Sequence, residues 1–482
     1  MATSNGENGS NGNGDAQETL AAGQTSLGVS IHATPLRLSR ISAVLEVYDP
    51  TLVLRASEVL SDFRIVLGTR TVYSGRAIIR NVLNAGLVLV CEVVLNEGSW
   101  IEWDVHQANN GYLRHKFDKF IAEWPQMYRI SPEFKIVVAD MHNFLSDMRL
   151  WLEQVELNVH SQPSGSSHEY ERNILEGLRE PAQSTLGMLF ERFEHVAQSV
   201  PKELQPAHSL YVKRQLHASV LCAPFMYRTF HKPLGYAGDY AMVKMMSEDP
   251  YQGGSVFAKV LNAFFLNTPP VVAHRNRIER LTQCLAEETN RVNRKKRATR
   301  VFNMGVGPAL EIQAFLRQAP PWAELEFTLL DFNDETVQHT SHVLQTLERQ
   351  LGFRHRIDVV KKSVHQLMKE HSKPVPVFQR GSYDLVYCAG LFDYLSDPVC
   401  RKLMQIFYDL TAPGGLLLAT NVASHNPSRG WMELAVDWHL FHRNADEVAK
   451  LAPEQAPADA VRVIAEPSGV NIFVEIRKPE NG

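Results

Sequence analysis

The stretch Val301-Phe-Asn-Met-Gly-Val-Gly-Pro-Ala-Leu-Glu-Ile312, followed by Phe327-Thr-Leu-Leu-Asp-Phe332, constrains this chain more than any other segment. It predicts a strand, a glycine turn, a helix, a second strand and an acid at that strand's end. Gly305 and Gly307 permit a tight turn and a close approach of backbone to a ligand. Pro308 suits the first turn of the following helix, where its missing N–H costs nothing. Asp331 closes the second strand, where a carboxylate accepts both hydroxyls of a ribose. Such a segment belongs to the first βαβ unit of a doubly wound sheet.

The full G-x-G-x-x-G is absent, because Leu310 stands where the third glycine would be. A dinucleotide pyrophosphate wants close helix approach at that point. A nucleoside without phosphates does not. The residues therefore favour S-adenosylmethionine (SAM) over NAD as the cofactor.

With 482 residues the chain needs two or three domains. Its 49 basic and 53 acidic side chains leave a formal charge of −4, which advertises neither nucleic acid nor an anionic membrane as a partner. Five scattered cysteines without a CxxC pair fit a reducing compartment and give no zinc site. No Lys or Arg precedes Arg37, so a secretory signal is not expected. The apolar run Val82 to Leu95 contains Asn84 and Glu92 and is too short to span a bilayer. A cytoplasmic protein without stable membrane insertion is the expectation.

The Asn-, Gly- and Ser-rich start, residues 1–34, reads as a disordered tail. Residues 35–130 carry short β-type runs. These are Ser42 to Tyr48, then Thr71 to Ile79 and Gly86 to Val94 paired around Asn81 to Ala85. Residues 131–294 are helical by their three- and four-residue apolar spacing, with helices expected over 134–160, 174–200, 204–225 and 255–287. Ser161 to Ser167 is a break between the first two. The cluster of Arg291, Arg294, Lys295, Lys296, Arg297 and Arg300 reads as a solvated helix end rather than a nucleic-acid patch.

In residues 295–482 strands and helices alternate. Strands are predicted near 299–303, 326–331, 357–360, 383–388, 415–421, 461–464 and 470–476. The last two are joined by Glu466 to Gly469, and so short a link makes them antiparallel. The fold class expected is α/β. It is a Rossmann-like doubly wound sheet with an antiparallel C-terminal strand pair, preceded by a helical region and a small N-terminal β-barrel-like domain.

That C-terminal domain resembles the class I SAM-dependent methyltransferases. A narrower resemblance is to bacterial biosynthesis proteins of the extracellular factor, 3-hydroxypalmitic acid methyl ester. The residues carrying it are His231-Lys-Pro-Leu-Gly-Tyr-Ala-Gly-Asp-Tyr240, Arg275-Asn-Arg277, Gly307-Pro-Ala309, Leu330-Asp-Phe332, Lys362-Ser-Val364 and Ala389-Gly-Leu-Phe-Asp-Tyr394. Asn426-Pro-Ser428, Met432-Glu433 and Asp437-Trp438 complete the set. The chain departs from the wider pattern at Asn303, where many class I enzymes have an acid, and at Ala309, where a third glycine is common. The resemblance implies methyl transfer to the carboxylate of a 3-hydroxy fatty acid, free or carrier-bound, giving a methyl ester signal of the quorum-sensing kind. The alternatives are another small acid or hydroxyl acceptor, or a regulator that senses SAM or a nucleotide.

The N-terminal β segment resembles a PilZ domain, which reads cyclic-di-GMP with an RxxxR arm and a (D/N)xSxxG strand. Here Arg37 and Arg40 are three apart, and Leu83 replaces the Ser within Asn81 to Gly86. Cyclic-di-GMP is not expected to bind. A docking or scaffold role that chemistry can dispense with is expected instead.

The site map places Asn303, Gly305, Gly307, Asp331, Phe332, Ser363, Val364, Ala389, Gly390 and Leu391 around the cofactor. Phe332 would pack on adenine, and Ser363 and Val364 would meet the adenine edge. Ala389 to Leu391 follow the fourth strand, at the carboxyl edge where open α/β sheets bind ligands. Gly235-Tyr-Ala-Gly-Asp-Tyr240 reads as a loop that folds over a ligand, or as a turn between helices. Tyr236, Asp239, Tyr394 and His425 are the catalytic candidates. Asp239 or His425 would be the base for a hydroxyl acceptor. Arg275 and Arg277 would grip a carboxylate or form surface ion pairs. HExxH, GxSxG and a P-loop lysine are absent, and no metal is expected.

Overall fold

The computed structural model describes residues 19–480 apart from 48, 50–51, 68–69, 85–88, 97–98, 102–113, 115–116, 119–120, 122–128, 162–166, 321–322 and 353–354. Gly86 of the PilZ-like strand therefore lies outside the described residues.

Six strands close an antiparallel barrel. They are β1 (Thr19–Gln24), β2 (Ser30–Leu38), β3 (Ser42–Val47), β4 (Val59–Leu67), β5 (Arg70–Asn84) and β6 (Leu89–Leu95), in the order β1-β2-β3-β6-β5-β4. Alternate residues of β3 and β6 point inward, so Leu45, Val47, Cys91 and Val93 form the barrel core with Phe63, Ile65 and Ile79. The barrel starts at Thr19, well before the expected boundary at 35. β1 is short and poor in large side chains, so periodicity does not reveal it. It counts because it pairs with both β2 and β4 and closes the barrel. Ala21 is 1% exposed, and Gly23 lets Phe63 lie against the strand, since a Cβ there would meet the ring at 3.0 Å.

The helical region holds α1 (Pro132–His160), α2 (Ser167–Gln198), α3 (Gln205–Val220), α4 (Pro224–His231), α5 (Tyr240–Met245), α6 (Val256–Phe265) and α7 (Pro269–Asn293). Two of the expected helices are each a pair. Pro224 opens α4 after the turn at Leu221 to Ala223. Pro269 and Pro270 open α7, because proline fits a first helical turn and ends what precedes it. Phe190, Phe193, Phe264 and Phe265 gather around Trp431 of the C-terminal domain. The helices thus share one core with that domain.

The C-terminal domain is a seven-stranded sheet: β7 (Thr299–Met304), β8 (Leu325–Asp331), β9 (Arg356–Lys361), β10 (Tyr383–Cys388), β11 (Thr411–Val422), β12 (Val461–Ala465) and β13 (Asn471–Arg477). Their order is β12-β13-β11-β10-β7-β8-β9. β7 to β11 pair in parallel, and β13 enters antiparallel between β11 and β12. This is the strand order of the class I methyltransferase fold, the fold class the sequence predicts. α8 (Leu310–Gln318), α9 (Asp334–Leu351), α10 (Val364–His371), α11 (Asp397–Leu410), α12 (Arg429–Ala435) and α13 (Ala445–Ala449) link and cover the strands. Successive strand residues serve opposite faces. Phe302 and Val386 pack toward α11, whereas Val301 and Leu385 pack toward α7 and α8.

Of the basic cluster, Arg291 pairs with Glu288, Lys295 with Glu480, Arg297 with Asp384 and Arg300 with Glu326. Among the described residues no single helix is long and apolar enough to cross a membrane.

Candidate active site

The chain reverses direction across the sheet between β7 and β10, and open α/β sheets bind ligands at such a switch point. A cavity of about 750 Å³ lies there. Its floor is the carboxyl ends of β7 to β11, through Met304 to Pro308, Asp331 to Asp334, Lys361, Ser363 to Gln366, Ala389 to Leu391 and Val422. The structure brings all ten expected cofactor residues to this one cavity.

At β7, the Asn303 amide donates to the Tyr387 carbonyl at 3.3 Å, while its Oδ1 is buried without a partner among the described residues. Pro308 lies before the helix, not in its first turn. α8 starts at Leu310, and Ala309 holds the cap position in the left-handed region at φ 54°. Asp331 is 5% exposed and accepts the Gly307 N–H at 3.2 Å and the Asn333 N–H at 3.0 Å. Burial pushes its carboxyl above the ordinary value. The Asn333 and Gly307 N–H groups and the Arg55 charge oppose that rise. The Ser363 hydroxyl caps α10 by accepting the Gln366 N–H, so what it offers a ligand is position rather than a free hydroxyl.

The loop before α5 is pinned over the cavity. Tyr236 meets Phe332 edge-on at 4.8 Å, and Tyr240 donates to Glu335 at 2.7 Å. Gly238 sits at φ 76°, and a Cβ there would be 2.5 Å from the Tyr394 hydroxyl. That hydroxyl accepts the Trp438 indole N–H at 3.0 Å. Burial first, then the Asp393 carboxylate, raises the Tyr394 pKa, so the hydroxyl keeps its own proton to donate.

Two catalytic candidates fall outside the cavity lining. Asp239 is 2% exposed and caps α5, accepting the Ala241 and Met242 N–H groups while pairing with Arg228 at 2.8 Å. An acid at the position before a helix is a capping signature, and this one is engaged in that way. His425 is exposed and sits beside Gly469 in the β12–β13 turn. Neither is placed to take a proton from an acceptor. Arg275 is structural too, donating to the Met246 and Leu266 carbonyls. Arg277 does line the cavity.

Four lining residues were not singled out from the sequence. His274 and Arg277 share α7, and Arg277 donates to His274 Nδ1 at 2.6 Å. Burial, with the charges of Arg277 and Arg275, pushes the His274 pKa well down, so the ring is neutral. Arginine has only donors. The ring proton therefore sits on Nε2, which is buried without a partner among the described residues. Glu311 accepts the Tyr387 hydroxyl at 2.7 Å, and burial raises its pKa. Asp393 accepts the Val422 N–H at 2.6 Å, and burial pushes its carboxyl up to about 6. Arg55 comes from the barrel, which with Ser26, Leu27, Leu52, Val53 and Ala56 supplies one wall. The barrel is thus part of the cavity, contrary to the dispensable role expected. Ala56 N–H donates to the Tyr394 carbonyl at 3.2 Å and Val59 N–H to Gly235 at 2.7 Å. The sequence carries no local signal for these contacts.

No protein-family model matches the chain, and no curated protein matches it. Among solved structures it is similar to a possible exported protein from Bordetella parapertussis, at 17% identity and a TM-score of 0.41, covering 66% of this chain and 100% of that one. It is also similar to the apo form of the S-adenosylmethionine-dependent methyltransferase SibL, at 16% identity and a TM-score of 0.32, covering 56% and 73%. A third is magnesium protoporphyrin IX methyltransferase from Synechocystis PCC 6803 with bound SAH, at 10% identity and a TM-score of 0.32, covering 45% and 87%. At these scores the chemistry of the site rests on the cavity itself.

Proposed function

We propose that the chain is a SAM-dependent methyltransferase that esterifies the carboxylate of an apolar acid, foremost a 3-hydroxy fatty acid. The observation that carries this reading is the set of unpartnered or acceptor groups lining the cavity at the switch point, matched to the ends of SAM. Asp331 would accept the ribose hydroxyls. Asn303 Oδ1, a buried acceptor without a partner, would take the methionine ammonium. His274 Nε2–H, a buried donor, would take the methionine carboxylate beside Arg277. Asn303 would thus serve where an acid is common, with Asp393 and Glu311 lining the same cavity.

SAM supplies an electrophilic methyl group. A carboxylate acceptor is ionised at neutral pH, since free carboxyl pKa values lie near ~4, and needs no base. The protein's work is alignment and exclusion of water. Tyr394, protonated and held by Trp438, donates to the acceptor oxygen that is not attacking. Met242, Met246, Leu281, Met432, Trp438 and Leu440 also line the cavity and give apolar surface suited to an alkyl chain. A hydroxyl acceptor fits less well. His274 Nε2 carries a proton already, and Asp239 and His425 are outside the cavity. The protein works in the cytoplasm on a small molecule, without nucleic acid, membrane insertion or cyclic-di-GMP.

Turnover of purified protein with methyl-labelled SAM and a panel of 3-hydroxy fatty acids, simple fatty acids and hydroxyl acceptors tests this. Labelled methyl ester, sensitive to mild alkali, is the expected product. Transfer only to hydroxyls would replace the acceptor, and SAM binding without turnover would favour a sensor.

A further inference from the structure

We propose that Arg55, a barrel residue, recognises the adenine end of the cofactor, so that the barrel completes the active site. The proposal rests on the SAM reading above and deepens it. Arg55 lies between β3 and β4 in a segment fixed to the other domain. Its neighbour Ser57 is buried at φ 58°, and its hydroxyl accepts the His439 N–H at 2.6 Å while donating to the His439 carbonyl at 2.9 Å. Ala56 is tied to Tyr394. A side chain mounted on such a segment is held in place across the domain boundary.

The Arg55 guanidinium carbon lies 3.7 Å from the Phe332 ring centroid and 5.5 Å from that of Tyr236. The side chain is 8% exposed. Its Nη2 donates to Ser26 Oγ at 2.7 Å and to its ion-pair partner Glu58 Oε1 at 3.4 Å. Among the described residues, Nε and Nη1 have no hydrogen-bond partner, and Arg55 lines the cavity. A guanidinium taken from water with donors unmatched is costly, which a purely structural cation would avoid. Phe332 follows Asp331 directly. With ribose on Asp331, the adenine is the part of the cofactor that reaches Phe332. Adenine offers ring nitrogens as acceptors and a flat face, and a planar cation with free N–H groups matches both. The methionine end lies elsewhere, at Asn303 and His274.

Calorimetry on the full chain with SAM and with adenosine tests this, because adenosine carries the adenine end alone. Arg55→Ala should weaken both ligands by about tenfold or more, the loss of a charge-assisted hydrogen bond. Arg55→Lys should recover little, since a point charge cannot stack. In turnover, KM for SAM should rise while kcat stays within about threefold, the signature of lost binding rather than lost chemistry. If Arg55→Ala does not fold, Arg55→Met keeps the packing of the stem and carries the same measurement. Unchanged affinity for both ligands would overturn the proposal, as would weakened SAM with unchanged adenosine. A wild-type chain that binds neither ligand removes the SAM assignment itself, and a chain that binds both while the variant binds them equally leaves SAM in place and removes Arg55.

Discussion

Gly390 and Arg277 are in direct apposition: a Cβ on Gly390 would lie 3.0 Å from Arg277 Nη1. Gly390 also sits at φ 88° and donates its N–H to Thr420 Oγ1 at 3.0 Å. The turn after β10 can therefore carry no side chain without displacing the guanidinium that steadies His274. Gly390→Ala should cost about 1–2 kcal/mol from the left-handed backbone alone. It should also lower kcat/KM for SAM by more than tenfold, because Arg277 must move. Paired thermal melts and steady-state kinetics check both. Unimpaired kinetics in a merely less stable protein would detach Arg277 from the cofactor.

Asp331→Ala should weaken SAM by about tenfold or more, since bonds to a charged acceptor are worth roughly 1.5–3 kcal/mol. The carboxylate also holds Gly307 and Asn333, so the variant should lose stability as well. Asp331→Asn should fall between, keeping one acceptor. Because burial raises the Asp331 pKa, SAM affinity in the wild type should drop as pH falls through that raised value. The Asn variant should show no such drop. Affinity unchanged in both variants would remove the ribose assignment.

The sheet was legible because its strands announce themselves locally, by short apolar runs ending in turn residues. The Gly305 turn and Asp331 belong to one continuous unit, so spacing alone places them. The wall made by Arg55 was not legible. Ser57 and His439 are 382 residues apart, and no local pattern encodes that contact. β1 escaped notice because Ala and Gly give no periodic signal. Asp239 is different, since its sequence was informative and pointed elsewhere. An acid followed by Tyr240-Ala-Met-Val-Lys is a helix start, and the flanking glycines drew the reading toward a lid.

Asp239→Ala should therefore act mainly on stability. It removes a cap, worth about 1 kcal/mol, and leaves Arg228 without its buried partner. Asp239→Asn should retain most of the cap and lose the ion pair. Activity per folded molecule, measured at low temperature, should stay within a few-fold of wild type in the Asn variant. A collapse of kcat at full foldedness would return Asp239 to the chemistry.

His439 should make the fold sensitive to acid. Its ring is buried, and that burial pushes its pKa down to about 3, with the Asp437 charge opposing and Arg80, Lys232 and Lys213 reinforcing. The unfolded chain accepts the proton near the ordinary value of 6.5, so from there down to about 3 the unfolded state binds more protons. Stability from this residue is full above pH 6.5 and is lost progressively toward pH 3, by up to a few kcal/mol in order of magnitude. Glu194 works against it. Burial raises that carboxyl to about 7, so its contribution is full below 4.5 and is lost as pH rises through 7. His442, likewise pushed down to about 3 by burial, acts in the same direction as His439, so denaturant midpoints at steps from pH 7 to pH 4 should fall in the wild type. His439→Gln, which cannot titrate, should flatten the slope. Glu194→Gln should steepen it. If the His439→Gln slope matched that of the wild type, His439 would not be the group that acid attacks, and the weld between Ser57 and His439 would hold regardless of pH.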